Sequence, residues 1–142
     1  MEYRQYQNVY VVRLDRGELV VDKLQELVQK EHISLAKIEG LGAADFLKAG
    51  LYDVETREFK CKEFHEPLEI LSLIGNVTVM DGKPYFHIHI AVSDEQQRAW
   101  GGHLKEARIG GTGEIFLTVL DGTVGRMQDR IGNTGLNIFS FS

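Results

Sequence analysis

Only one segment of this chain spaces its apolar residues as a helix does. Val20, Leu24, Leu27 and Val28 recur at helical intervals between Glu18 and about Lys30, with Val21 flanking them. Glu18 and Asp22 come early and Lys30 late, the order that the helix dipole favours. Everything else that is apolar reads as strand. Asn8 to Leu14 precedes the helix; Leu35 to Leu41, Phe46 to Asp53, Glu58 to Phe64, Leu68 to Met80, Tyr85 to Val92, Glu114 to Leu120 and Leu136 to Phe141 follow it. Gly40-Leu41-Gly42-Ala43 is read as a break between two of these strands, and Gly75 as a bulge or bend. Asp81-Gly82 and Asp121-Gly122 predict two tight hairpin turns. Many strands with one principal helix near the N-terminus argue for an α+β or mainly-β fold with a mainly antiparallel sheet.

Length and composition narrow the class further. The 142 residues, free of linkers, repeats and low-complexity tracts, suit a single domain spanning 1–142. Sixteen Lys and Arg against 21 Asp and Glu give a net charge of −5, which repels nucleic acid at long range. No apolar stretch approaches a membrane span, and Met1-Glu2-Tyr3-Arg4 does not open a signal peptide. The single cysteine, Cys61, excludes an intramolecular disulfide and a cysteine-cluster metal site. A cytoplasmic protein with no membrane partner is the expectation.

Chemistry concentrates in His87-Ile88-His89 and Gly101-Gly102-His103. Residues i and i+2 of a strand point to one face, roughly 7 Å apart at about 3.3 Å per residue. His87 and His89 therefore project together, while Phe86, Ile88, Ile90 and Val92 face the core. Gly101-Gly102 would turn the backbone tightly and return His103 toward the strand. Three imidazoles so gathered form a metal site with one position open to water or a small ligand, and zinc is the expected occupant among divalent transition metals. Glu66, Glu69 and Glu114 are candidates by type for an acid, a base or an outer partner of the site. Whether the protein is an enzyme stays open. His32, at the helix end, and His65, beside Glu66-Pro67, are read as background.

Other chemistries lack their motifs. Gly40-Leu41-Gly42-Ala43 and Gly110-Gly111-Thr112-Gly113 carry no Gly-Lys-Ser/Thr ending of a phosphate loop. There is no Gly-x-Ser-x-Gly elbow, and Cys61 lies in an alternating strand pattern that suits packing. No basic run with interleaved aromatics is present.

Several blocks in order carry a resemblance. They are Gly40-Leu41-Gly42-Ala43, Glu66 through Asn76, His87-Ile88-His89, Gly101-Gly102-His103-Leu104, Thr112-Gly113-Glu114-Ile115 and Thr134-Gly135-Leu136. Over roughly residues 5 to 141 the sequence resembles the plants-and-prokaryotes-conserved (PPC) domain family, in its stand-alone prokaryotic type. The resemblance implies an antiparallel α+β fold assembled as a homotrimer, and a metal site at His87, His89 and His103, which prokaryotic-type members keep. It also implies an alternative role, as a DNA-associated or regulatory protein in which the domain supplies oligomerisation and partner contacts. Plant members follow AT-hooks; this chain has no Arg-Gly-Arg-Pro hook, which together with its acidity argues against direct DNA binding.

Overall fold

Strands take up most of the computed structural model, which describes residues 1–141. In chain order they are β1 (Glu2–Tyr6), β2 (Val9–Leu14), then helix α1 (Val20–Lys30), β3 (Ala36–Asp53), β4 (Glu58–Phe64), β5 (Leu68–Met80), β6 (Lys83–Ser93), β7 (Ala99–Val119), β8 (Gly125–Gln128) and β9 (Asn137–Ser140). The hydrogen-bonded order is β1-β2-β7-β3-β5-β8-β9, with β4 on β3 and β6 joining β5 to β7. Strands β3, β5, β6 and β7 thus close a circuit of antiparallel pairs. The exception to antiparallel pairing is β5 with β8, which meet in parallel at Val79 and Gly125.

The expected apolar stripe is what α1 buries: Val20, Leu24, Leu27 and Val28 are all inside, packed toward β6 and β7. Tyr10, Val12 and Leu14 of β2 alternate with exposed or half-buried neighbours, as do Ile115 and Leu117 of β7. These residues join Ile88, Ile90 and Val92 of β6 in one contiguous cluster. Each fully buried Leu or Ile in it contributes about 1.5–3 kcal/mol through area removed from water. Leu19, at the N-cap, offers no side-chain hydrogen bond, so the helix start is satisfied from outside: Glu106 of β7 accepts from the Val21 N–H at 3.0 Å. Burial raises the Glu106 carboxyl above its ordinary range, against the pull of these backbone donors.

Four expectations change. The two strands expected over 35–53 are one, β3, kept continuous through register shifts at Gly40/Gly42 and beyond. Gly42 has φ +154, and a Cβ there would stand 2.2 Å from the Thr112 carbonyl oxygen. Second, Gly75 is not at a bulge; it pairs in register with Ile88 and Ile38, and the β5 shift lies at Ile70/Ser72. Glycine is required there because a Cβ would meet the His87 carbonyl oxygen at 2.4 Å. Third, Gly101-Gly102 does not turn. Both residues lie within the 21-residue strand β7, opposite Ala91 and Ile90. Fourth, Asp121-Gly122 does not join paired strands, since β7 pairs with β2, β3 and β6 and not with β8. By contrast Asp81-Gly82 is the expected hairpin turn: φ values of 51° and 74° give both central residues the sign that a type I′ turn needs. The short strands β1 and β8 had no sequence signal strong enough to predict them.

Candidate metal centre

His87 and His89 project from one face of β6 because Ile88 and Ile90, between and beyond them, are drawn into the core at 3% exposure each. Directly opposite His89 across the β6–β7 ladder stands His103. Cross-strand partners share a face, so the register alone delivers the third imidazole. Gly101-Gly102 assists differently from the expected turn. A Cβ on Gly101 would lie 2.3 Å from the Ile90 carbonyl oxygen, and one on Gly102 would lie 2.4 Å from that of Gly50. The two glycines let β7 run pressed between β6 and β3 immediately before His103.

The three rings stand with centroids 5.0 to 5.7 Å apart. One nitrogen from each lies within 4.8 Å of the others, and no other group of three His, Cys, Asp or Glu does so among the described residues. The Nε2 atoms of His87 and His89 are 3.2 Å apart. Zinc–nitrogen bonds of about 2.0–2.1 Å give a tetrahedral edge of roughly 3.3–3.4 Å, so the donor set and spacing fit such an ion. Burial, then the neighbouring His89 and Arg126, lowers the His87 pKa. Burial, followed by His87, Lys105 and His89, lowers that of His103 to about 4. Both rings are therefore neutral at pH 7, the state in which imidazole ligates a metal.

Beside the histidines opens a cavity of about 810 Å³. Its floor is β6 and β7; its far wall is the β8–β9 hairpin, through Arg126 and Leu136 to Phe139. Phe59 of β4 meets His103 edge-on at 5.1 Å, and Lys105 lies 3.9 Å from the Phe59 ring centre. Asn76, the β5 partner of His87, accepts from the Arg126 guanidinium at 2.9 Å. Arg126 also donates to Thr78 Oγ1 and to the Asn137 carbonyl oxygen, 3.0 Å each, and its guanidinium carbon lies 4.8 Å from the Tyr85 ring centre and 4.4 Å from that of Phe139.

None of the three glutamates named from sequence lines this cavity. Glu66 is exposed in the connection between β4 and β5. Glu69 is exposed on β5 beside Ala43 and Ser93, and Glu114 is exposed on β7 between Arg13 and Leu41. His65 packs at a tilt against Phe46 and faces Glu63, while His32 follows the helix end with φ 53°; neither joins the cluster. Cys61 is half-buried on β4 opposite Gly50. The residues that sequence reasoning missed are Lys105, Asn76 and Arg126. Asn76 could have been found by pairing Leu68–Met80 with Tyr85–Val92 through the Asp81-Gly82 turn, which sets it opposite His87. Arg126 had no such signal.

Comparison with known proteins is consistent across sequence and structure. The Plants and Prokaryotes Conserved (PCC) domain matches residues 1–121. The metal-containing protein AF0104 of Archaeoglobus fulgidus is 36% identical, with a TM-score of 0.87 over 98% of this chain and 96% of that one. A candidate DNA-binding protein of Bacteroides thetaiotaomicron is 29% identical, with a TM-score of 0.94 over 99% and 96% of the two chains. The bifunctional protein GlmU of Synechococcus sp. (strain JA-3-3Ab) is 32% identical over 111 residues, and that match spans 77% of this chain but only 17% of GlmU.

Proposed function

The chain belongs to the Plants and Prokaryotes Conserved domain family, and from that premise we propose that it is a homotrimeric, cytoplasmic zinc-binding protein. His87, His89 and His103 hold the ion, and the fourth position is left to water or a small ligand. The observation that carries this reading is the set of three imidazole nitrogens within 4.8 Å, two of the rings held neutral by burial. The metal-containing Archaeoglobus relative supports it. When bound, zinc would lower the pKa of a coordinated water or polarise a ligand oxygen. The chain's own residues supply the rest: Ile88 and Ile90 fix the strand that aims the rings, and Phe59 packs against His103.

Leu41, Ile74 and Phe116 support assembly. Glu39 pairs with Phe116 on one side and Ile74 on the other, so these exposed apolar side chains share a sheet face, with Leu41 two residues along β3. A single half-buried cysteine and the absence of a long apolar helix among the described residues fit a cytoplasmic setting.

Elemental analysis of the purified protein tests the metal. About one zinc per chain is expected, with loss of the ion in His89→Ala. Protein that carries no stoichiometric metal, and takes none up on titration, sinks the reading.

A second reading is favoured by the Bacteroides relative: a DNA-associated role in which the domain provides oligomerisation. Against it stands the net charge of −5 per chain, or −15 for three copies. Duplex DNA that is retarded at low ionic strength and released by salt would support it; no retardation at low salt would remove it.

A further inference from the structure

Arg126 differs from the arginines that make close ionic contacts. Arg13, Arg98 and Arg108 are 47–63% exposed, and each pairs with an aspartate at 2.7–2.8 Å. Arg126 is half-buried and, among the described residues, no carboxylate pairs with it. Its three acceptors are a hydroxyl, an amide oxygen and a backbone carbonyl, all uncharged. A guanidinium has five N–H groups, so one hydrogen on each terminal nitrogen is left over. Withdrawing such a cation from water without a counter-charge is costly, and burial correspondingly lowers the Arg126 pKa.

The surroundings repeat this asymmetry. The cavity contains Lys105, Arg126 and the three histidines, yet among the described residues no Asp or Glu lines it, in a chain whose net charge is −5. A positive pocket in an acidic protein concentrates anions at that place. Its position is set by the ladder: Asn76, which holds the guanidinium at 2.9 Å, is the register partner of His87. The remaining walls are apolar, through Leu51, Phe59, Leu136, Ile138 and Phe139. About 810 Å³ is the size of a small-molecule pocket.

We propose that this cavity binds a small organic carboxylate, its charged group on Arg126 and its apolar body against the β8–β9 hairpin, beside the three histidines. The metal reading enters only through the ligand's second contact, at the open position of the ion; the salt link to Arg126 does not need it. The Tyr85 and Phe139 ring centres lie 4.8 and 4.4 Å from the guanidinium carbon, so little order has to be gained when a carboxylate arrives. Inorganic anions would gain the charge contact and forgo the apolar walls.

The experiment is calorimetric titration with phenylacetate, its neutral isostere phenylacetamide, and inorganic phosphate, on zinc-loaded and on chelator-treated protein. Phenylacetate should bind both forms, more tightly with metal, and at least about tenfold better than the amide, as expected for hydrogen bonds to a charged group. Arg126→Met should abolish that preference while its zinc content stays that of wild type; Arg126→Lys should restore part of it. Because either substitution could loosen the hairpin, the acid–amide comparison on unmodified protein stands by itself. Equal affinity for acid and amide, or phosphate binding as tightly as phenylacetate, overturns the proposal even when zinc is present. Protein that takes up no zinc on titration, yet prefers the acid through Arg126, overturns the metal reading and leaves this one intact.

Discussion

Two sides of one cavity are held in place by different forces. The floor, β6 and β7, is anchored by side chains buried on its far side: Ile88, Ile90 and Leu104 are at most 5% exposed. The wall, β8 and β9, meets the main sheet at the pair Val79–Gly125, and its apolar residues stay partly exposed, with Met127 at 41%, Phe139 at 43% and Ile131 of the connecting loop at 85%. Polar contacts attach it instead. Arg126 ties it to Thr78 and Asn76, Tyr52 donates to the Thr134 carbonyl oxygen at 3.1 Å, and Arg57 donates to Asn133. The histidines thus ride on the part of the molecule that cannot move without unfolding, and the ligand-facing wall on a part that can open locally at lower cost.

The largest expected effect comes from breaking the floor. Ile90→Ala removes a side chain that is 3% exposed between His89 and the β7 glycines, and should destabilise the protein by about 2–5 kcal/mol. Urea denaturation followed by circular dichroism would measure it, with Ile131→Ala as the control on the wall. If the control costs as much as the core substitution, the distinction between floor and wall is wrong.

Next in size is the wall itself. Asp129 organises the loop between β8 and β9, accepting from the Ile131, Gly132 and Thr134 N–H groups and from the Thr134 hydroxyl. The Thr134 hydroxyl and the Gly132 amide are the chief reasons its pKa falls to about 2. Asp129→Ala should speed hydrogen exchange at those amides by about tenfold or more, the effect of losing hydrogen bonds to a charged acceptor. The urea midpoint should move much less than for Ile90→Ala, and the histidines should keep their metal. Loss of metal, or a global drop as large as in the core variant, would show that the hairpin is part of the scaffold after all.

The same division explains what was legible in the sequence. Helix α1 and most strands are written as burial, and burial leaves a period of 3.6 or 2 that can be read without a structure. His87 and His89 were legible for that reason: Ile88 between them had to go inward. His103 was expected in the site by a wrong route, a Gly-Gly turn, because small residues in a strand look like a loop until the strand they press against is known. The glycines at 101 and 102 answer to the Ile90 and Gly50 carbonyls, and Gly50 is more than fifty residues away in sequence. Arg126 and Lys105 were illegible. Their importance lies in which cavity they enter and in the acids that are missing there, and neither leaves a local pattern. The three glutamates show the reverse error, since residue type without placement named groups that lie on exposed surface outside the cavity.

The smallest effect concerns a feature that the two regions share. The floor also has a turn organised by one aspartate. Asp94, between β6 and β7, accepts from the Gln96 and Arg98 N–H groups, the Arg98 guanidinium and the Trp100 indole. Burial by itself would raise its pKa, but these donors outweigh it, Trp100 foremost, and hold it at about 2. An aspartate whose folded pKa lies below the unfolded value of about 3.9 stabilises the protein fully above that value, and the contribution fades as pH falls through about 4 toward 2. Trp100 is the chain's single tryptophan, so its emission reports this one turn. It should be constant from pH 7 to about 4 and change below, with the Asp129 loop amides losing protection over the same interval. In Asp94→Asn the fluorescence step should vanish while the loop response persists. A step that survives that substitution would place the acid sensitivity elsewhere. If instead each aspartate proves responsible for its own turn, polar closure is common to both regions, and what separates floor from wall is the apolar surface buried behind the histidines.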